Sequence, residues 1–247
     1  MKFLASVFSI AVLGFYTGVA IGATETKTET KIPTIATWVI PFYLLSEKEG
    51  PFVNMIHKIS ELTGQEFKIK VLPPKRSMLY FKNSEMDVLF PAMDPNLPKE
   101  DVIKSIPYMQ KRVYAFVMKG NTLPLSVKDL HGKRVGLVRG YAYPINVTNN
   151  ENIKLEYSES AEVSMMKLKS NKIDIILDDI NVAKNARINS NTLDAIFDEN
   201  KPFALIDVYF AFQNTPEGGA LAKKVSSAIQ TMIDNKTITQ YFQRQTK

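Results

Sequence analysis

Residues 75–90 read KRSMLYFKNSEMDVLF, and residues 162–177 read EVSMMKLKSNKIDIIL. The two stretches align without a gap at an offset of 87 positions. Ser77/Ser164, Met78/Met165, Lys82/Lys169 and Asp87/Asp174 are identical, and Leu79/Met166, Phe81/Leu168 and Met86/Ile173 match in apolar character. Each stretch reads as a short helix, a turn and a buried strand. An alternating segment precedes each one: Phe67, Ile69 and Val71 in the first case, Ile153, Leu155 and Tyr157 in the second. Many unrelated units share a helix–turn–strand pattern. Agreement of strand, helix, turn and strand together favours two similar α/β lobes.

Working outward, the remaining segments extend the same pattern. Residues 34–40 read as a strand. Residues 51–63 read as a helix with Phe52, Ile56, Ile59 and Leu62 on one face, Pro51 at its first position and Gly64 just past its end. Residues 113–118 and 133–138 are further strands, Ser126 and Asp129 have capping-box spacing, and Ser160 is placed to cap the helix through Met166 and Leu168. Met165 and Met166 are expected in the core. Strands alternating with helices indicate α/β architecture with mostly parallel sheets.

In such sheets ligands bind beyond the C-terminal strand ends, where loops and helix N-termini present free N–H groups. The matched strands end at Phe90 and Leu177, so Met93 and Asp94 on one side and Asp178 on the other are candidates for a groove between the lobes. Asp179 is expected to cap the following helix and Asp178 to face the ligand. Arg76, at a helix N-terminus after a strand, either holds an anionic ligand group or pairs with a surface carboxylate. Arg139 precedes Gly140, which is either a site of close backbone approach or a plain tight turn. Tyr43, Tyr141 and Tyr143, with Trp38, are candidates for an aromatic sandwich around a planar or cationic ligand.

Composition narrows the chemistry. Hydrophobic residues make up 45% of the 247 and charged residues 23%, which suits a soluble globular chain with a sizeable core. The net charge of +6 is scattered and not gathered into a stripe, so no nucleic-acid partner is expected. There is no Cys, which rules out disulfides, thiol nucleophiles and Cys-ligated metals. His57 and His131 lie far apart, and no metal or other cofactor is expected. At the N-terminus a basic Lys2 is followed by an apolar stretch over 3–22, small residues and a polar leader over 24–31. That order is expected of a secretory signal over 1–23, cleaved after Ala20 or Ala23, which would send the chain to the periplasm. The alternative is an uncleaved anchor, since the apolar stretch is nearly long enough to span a bilayer, but Gly14, Gly18, Gly22 and Ala23 weaken it as a permanent helix.

Several ordered motifs carry a family resemblance. These are Ser60-Glu61-Leu62-Thr63-Gly64, Met86-Asp87-Val88, Ser105-Ile106-Pro107-Tyr108, Asp129-Leu130-His131-Gly132-Lys133-Arg134-Val135-Gly136 and the run 171–178. With them, nearly all of the mature chain resembles the extracellular solute-binding proteins of family 3, which serve polar amino acid ABC transporters. The resemblance implies the type II periplasmic binding fold: two α/β lobes joined by two hinge strands, with a ligand cleft between them. It places a discontinuous first lobe over 32–111 plus 209–247 and a second over 112–208, with crossing strands near Lys111-Arg112 and Asp207-Val208. The implied function is capture of a small polar solute by a monomer, for an inner-membrane ABC permease or a receptor, without catalysis. A sensory partner and a dehydratase of the cyclohexadienyl type on the same scaffold are the alternatives. The resemblance also implies that Asp178 pairs with a ligand amine. The stretch Leu97-Pro98-Lys99-Glu100-Asp101, however, lacks the Arg that clamps the α-carboxylate in the family's amino-acid binders. The second-lobe ligand element reads Gly140-Tyr141-Ala142-Tyr143 in place of Gly-Thr/Ser. Both departures put an ordinary α-amino acid ligand in question.

Overall fold

Pro51 and Gly64 bound the first helix, α1 (Pro51–Thr63), for the reasons the sequence suggests. Proline fixes φ and lacks the N–H that would go unpaired at a helix start, and Gly64 ends the helix at a left-handed φ of 63°. Phe52, Met55, Ile56 and Ile59 turn inward; Leu62, expected on the same face, is exposed in the last turn. The computed structural model describes residues 31–242 except 41 and 99. The export signal and most of the leader expected over 24–31 lie outside the described residues.

The strands are β1 (Thr34–Thr37), β2 (Lys68–Val71), β3 (Val88–Ala92), β4 (Val102–Lys104), β5 (Met109–Met118), β6 (Arg134–Val138), β7 (Lys154–Ser158), β8 (Ile175–Asp179), β9 (Ala195–Ile196) and β10 (Ala204–Gln213). Their order is β2-β1-β3-β10-β5-β8-β6-β7, with β4 also on β10 and β9 also on β5. In one half, β1 runs parallel to both β2 and β3. In the other, β6 runs parallel to both β7 and β8. Between the halves, β5 and β10 lie antiparallel, with Met109 opposite Val208 and Val113 opposite Ala204. Residues 38–40, expected to extend the first strand, leave the sheet after Thr37.

The helices that cover the sheet are α2 (Pro74–Lys82), α3 (Ile145–Thr148), α4 (Ala161–Lys169), α5 (Ile180–Asn189) and α6 (Pro216–Asp234). The buried residues gather along the same division. One cluster packs Phe52, Phe90, Tyr108 and Phe210 against α1 and α6, with the Phe90 and Phe210 rings stacked 4.2 Å apart. Ala36, Phe81, Leu89 and Tyr209 pack on the opposite face of that half. In the other half, Val113, Leu137, Tyr143 and Leu177 lie on one face, and Tyr114, Phe116, Met165 and Ile176 on the other. The half-buried Met93 packs against a cluster of each half.

The repeat has a physical basis in its shared aspartate. The Asp87 carboxylate accepts from the Thr34 N–H at 2.8 Å, and the Asp87 N–H donates to the Thr34 carbonyl at 3.1 Å. The Asp174 carboxylate accepts from the Arg134 N–H at 2.7 Å, and the Asp174 N–H donates to the Arg134 carbonyl at 2.8 Å. In both halves the aspartate satisfies the first donor of the neighbouring parallel strand, so the turn before β3 and the turn before β8 set strand register in the same way. The helices match less fully. Met165 is buried as expected, but Met166 is about half exposed, as is its counterpart Leu79, so these two apolar positions share a place on the surface and not in the core. Ser77 and Ser164 are both buried; the Ser77 hydroxyl donates to the Thr37 carbonyl at 2.7 Å, whereas the Ser164 hydroxyl has no partner among the described residues.

Asp174 adds a fork to Arg134, with contacts of 2.6 and 3.1 Å. The Arg134 guanidinium holds its carboxyl below the usual carboxylate range. Stability from this group is therefore present above its ordinary pKa and is lost as the pH falls through the depressed value. Asp174→Asn is expected to destabilise the protein by about 1.5–3 kcal/mol at pH 7. Urea unfolding should show a lower midpoint with an unchanged slope, and the difference from the wild type should shrink in acid.

Candidate functional site

Register places the two sets of parallel strand ends face to face. Ala92, ending β3, pairs with Tyr209. Asp179, ending β8, pairs with Val113, which pairs in turn with Ala204. The span of β10 from Ala204 to Tyr209 separates these levels, about 17 Å at the rise of an extended strand. Across that span lies a crevice of about 420 Å³. Asp94 and Pro95 line it from one half, Pro144, Ile145 and Asn146 from the other, and Gln110 and Asp207 from the ribbon between. Gln110 and Asp207 face each other in register and are joined by a 2.9 Å hydrogen bond. The volume lies within the roughly 300–1,000 Å³ of small-molecule sites.

On the β8 side the chemistry centres on Lys111. Its ammonium donates to the Ala142 carbonyl at 3.0 Å and lies 5.4 Å from the Tyr141 ring centroid and 5.3 Å from that of Tyr143. Both distances are within cation–π range. Burial pulls the Lys111 pKa down, against the pull of the Asp178 and Asp179 carboxylates. Asp178 is fully buried. One of its oxygens accepts from the Asp179 N–H at 2.7 Å, and the other has no partner among the described residues. Burial pushes its carboxyl up to about 7, opposed chiefly by Lys111 and the Asp179 N–H bond and reinforced weakly by Asp179 and by Glu162 on α4. Asp179 caps α5 as expected, accepting from the N–H groups of Asn181 and Val182. Burial likewise raises the Tyr141 and Tyr143 hydroxyls. The cluster shares a wall with the crevice, since Ile206 pairs with Lys111 across the ribbon and also lines the crevice.

The β3 side is closed on itself. Asp94 accepts from the Lys104 ammonium at 2.6 Å and from the Tyr209 hydroxyl, and these two bonds, Lys104 foremost, hold its carboxyl below the usual range. The other expected residues are placed apart. Arg139 pairs with Glu159 at 2.9 Å and lies over the Tyr157 ring. Gly140 is exposed at a φ of 84°, in a turn that lets Tyr141 N–H reach the Val138 carbonyl. Arg76 is exposed in the first turn of α2, with no ion pair among the described residues. The aromatic residues do not converge: Trp38 packs beside Tyr209 and Ala36, Tyr43 stacks on Phe52, and Tyr143 is a core residue whose hydroxyl accepts from the Val138 N–H. Tyr141 and Tyr143 meet, but over Lys111.

Lys111 is the residue that sequence reading left out of the site. No local signal marks it: residues 113–117 are buried on both faces of the strand, so phase does not set Lys111 apart from its neighbour Arg112.

Solved structures share this architecture. The GluR0 ligand-binding core from Nostoc punctiforme, in complex with (L)-glutamate, superposes with a TM-score of 0.64 at 18% identity, over 85% of this chain and 97% of that one. An ancestral arginine-binding protein bound to arginine gives 0.62 at 18% identity, over 87% and 98%. A histidine kinase sensor domain with similarity to periplasmic binding proteins gives 0.65 at 13% identity, over 86% and 94%. The fold is that of the type II periplasmic binding proteins. No protein-family model and no curated protein matches the sequence.

A carboxyl raised from 3.8 to about 7 is protonated in the folded chain over a pH range in which the unfolded chain has released the proton. Its contribution to stability is full below about pH 3.8 and is lost as the pH rises through 7. Asp178→Asn, neutral throughout, is expected to gain on the wild type by about 2–4 kcal/mol between pH 4 and pH 8. Urea unfolding at both pH values checks this; a difference that stays flat with pH would refute the buried-carboxylate account.

Proposed function

We propose that this chain is an exported solute-binding protein that captures a small polar solute between two lobes, residues 32–111 with 209–247 and residues 112–208. The crevice lined from both halves across the β5–β10 ribbon carries the reading. Among the described residues a ribbon of two antiparallel strands is the only sheet pairing between the halves, so bending it would bring the strand ends together around a ligand at little cost in core packing. The order of charge, apolar stretch and small residues at the N-terminus supports export to the periplasm. Closed around its solute, the protein would present both lobes to an inner-membrane permease. Asp94, which lines the crevice, and with it Met93, Asp178 and Tyr141 are the proposed ligand residues, and Lys111 is added to them; Arg76, Arg139, Gly140, Tyr43 and Tyr143, placed apart from the crevice, are not among them.

Signalling through a membrane receptor is the second reading, and similarity to a histidine kinase sensor domain favours it. Recovery of membrane partners by cross-linking in cells would separate the two. A binding role, and not catalysis, fits the amino-acid complexes among the similar structures.

A bound solute at one hundred times its Kd is expected to stabilise the folded state by about 2.7 kcal/mol. For a chain of this size that corresponds to a rise in Tm of about 5–10 °C. X-ray scattering should show a smaller radius of gyration in the same sample. If a panel of small polar solutes gives neither change, and native mass spectrometry of the purified protein finds nothing bound, the reading fails.

A further inference from the structure

The surroundings of the Lys111 ammonium are of the kind that would hold an ammonium group of any origin. A bound amine needs acceptors, aromatic faces and a nearby carboxylate. At the end of β8 the acceptor is the Ala142 carbonyl, the faces are Tyr141 and Tyr143, and the carboxylates are Asp178 and Asp179; the Lys111 side chain already engages the carbonyl and both rings. Both carboxylates act on it electrostatically. A second cation here would meet like charge in a partly desolvated corner, where such juxtaposition costs several kcal/mol. An ammonium has three N–H donors, and Lys111 spends one on Ala142, leaving two without an acceptor among the described residues. The residue is partly buried, and its strand partner Ile206 lines the crevice.

We propose that Lys111 replaces the ligand's α-ammonium as the cation of this subsite, and that the cleft therefore selects small carboxylates without an α-amino group. The inference rests on the solute-binding reading and narrows it to one ligand class. Lys111 holds the carboxylate end of the ligand as a point charge, with Tyr141, itself part exposed, lying beside it.

Matched pairs that differ only in the amino group test this: glutarate with L-glutamate, isocaproate with L-leucine, and hydrocinnamate with L-phenylalanine. Each pair is titrated against the purified full chain by thermal shift and calorimetry. In the wild type at least one amine-free member is expected to bind about tenfold or more tighter than its amino-acid twin. In Lys111→Ala, and in Lys111→Met, which keeps the apolar stem, that preference should collapse or reverse as the ligand's own ammonium takes the vacated place. An amino acid that binds the wild type as well as its amine-free twin overturns the inference and leaves the solute-binding reading intact. So does a preference for the amine-free twin that survives both substitutions. If no member of any pair binds, the inference also falls; a different solute found bound by native mass spectrometry would then preserve the broader reading, and an empty protein would remove it as well.

Discussion

The antiparallel pairing of residues 109–113 with 204–208 is the constraint on which the rest depends. A strand of ten residues is long for a globular protein, and β5 and β10 both reach that length because each serves three partners, β9 and β4 among them. The first part of β5 holds β10 and its later part holds β8; the first part of β10 holds β5 and its later part holds β3. Each half can then build a parallel sheet that points its C-terminal ends at the shared ribbon. Shifting one strand of the pair by one residue would put Lys111 and Ile206, now on one face, on opposite faces and would separate Gln110 from Asp207. The crevice is thus a product of strand register, and the loops only line it.

Much of this was legible in sequence because it rests on local rules. Pro51 and Gly64 bound a helix, Ser160 and Asp179 cap helices with side-chain oxygens, and Ser126 with Asp129 closes a capping box. The 87-residue repeat was also readable, and its most informative position proved to be Asp87/Asp174, where a carboxylate ties the start of the next strand. The site was less legible because its geometry is set by long-range pairing. Asp94 lies near the groove, but nothing in the local sequence indicates that Lys104 and Tyr209 will claim its carboxylate. Arg139 precedes a left-handed glycine, as a ligand residue might, yet Glu159 on the adjoining strand connection neutralises it. The four aromatic residues were grouped by type, whereas their packing is decided by which sheet face each one meets. Lys111 stands beside Arg112 in a crossing strand whose later residues are buried on both faces, so nothing local sets it apart; its contacts with Ala142, Tyr141 and Tyr143 come from long-range pairing.

The two walls of the cleft treat charge differently. On the β3 side, Asp94 is satisfied by two donors and its carboxyl is held in the ionised form. On the β8 side, Asp178 lies in the protein without full compensation, and Lys111 lies near it without a direct hydrogen bond between them. Buried charges of this kind do little for stability, since desolvation tends to cancel the attraction they gain. Groups that are costly in the folded state and poised near neutrality are concentrated where proteins bind or react. Here that cost is confined to one strand end, one loop and one position of the connecting ribbon.

That confinement also bears on how closure and recognition are coupled. Lys111 sits on the ribbon that would bend in the proposed closure, while its acceptor Ala142 and its two tyrosines lie beside β6 and β8. A ligand anion drawing on the free donors of Lys111 therefore contacts the ribbon and the second half through one group. Met93, packed against a cluster of each half, meets the same junction from the other side with a flexible apolar side chain that adapts to small displacements. A solute that satisfies Lys111 would bias the angle between the halves directly, because the charge it neutralises is anchored to both parts whose relative position changes. An ammonium ligand would have to displace Lys111 before any closure, and a closed state that begins with the loss of a carbonyl bond and two cation–π contacts is a poor target for such a ligand.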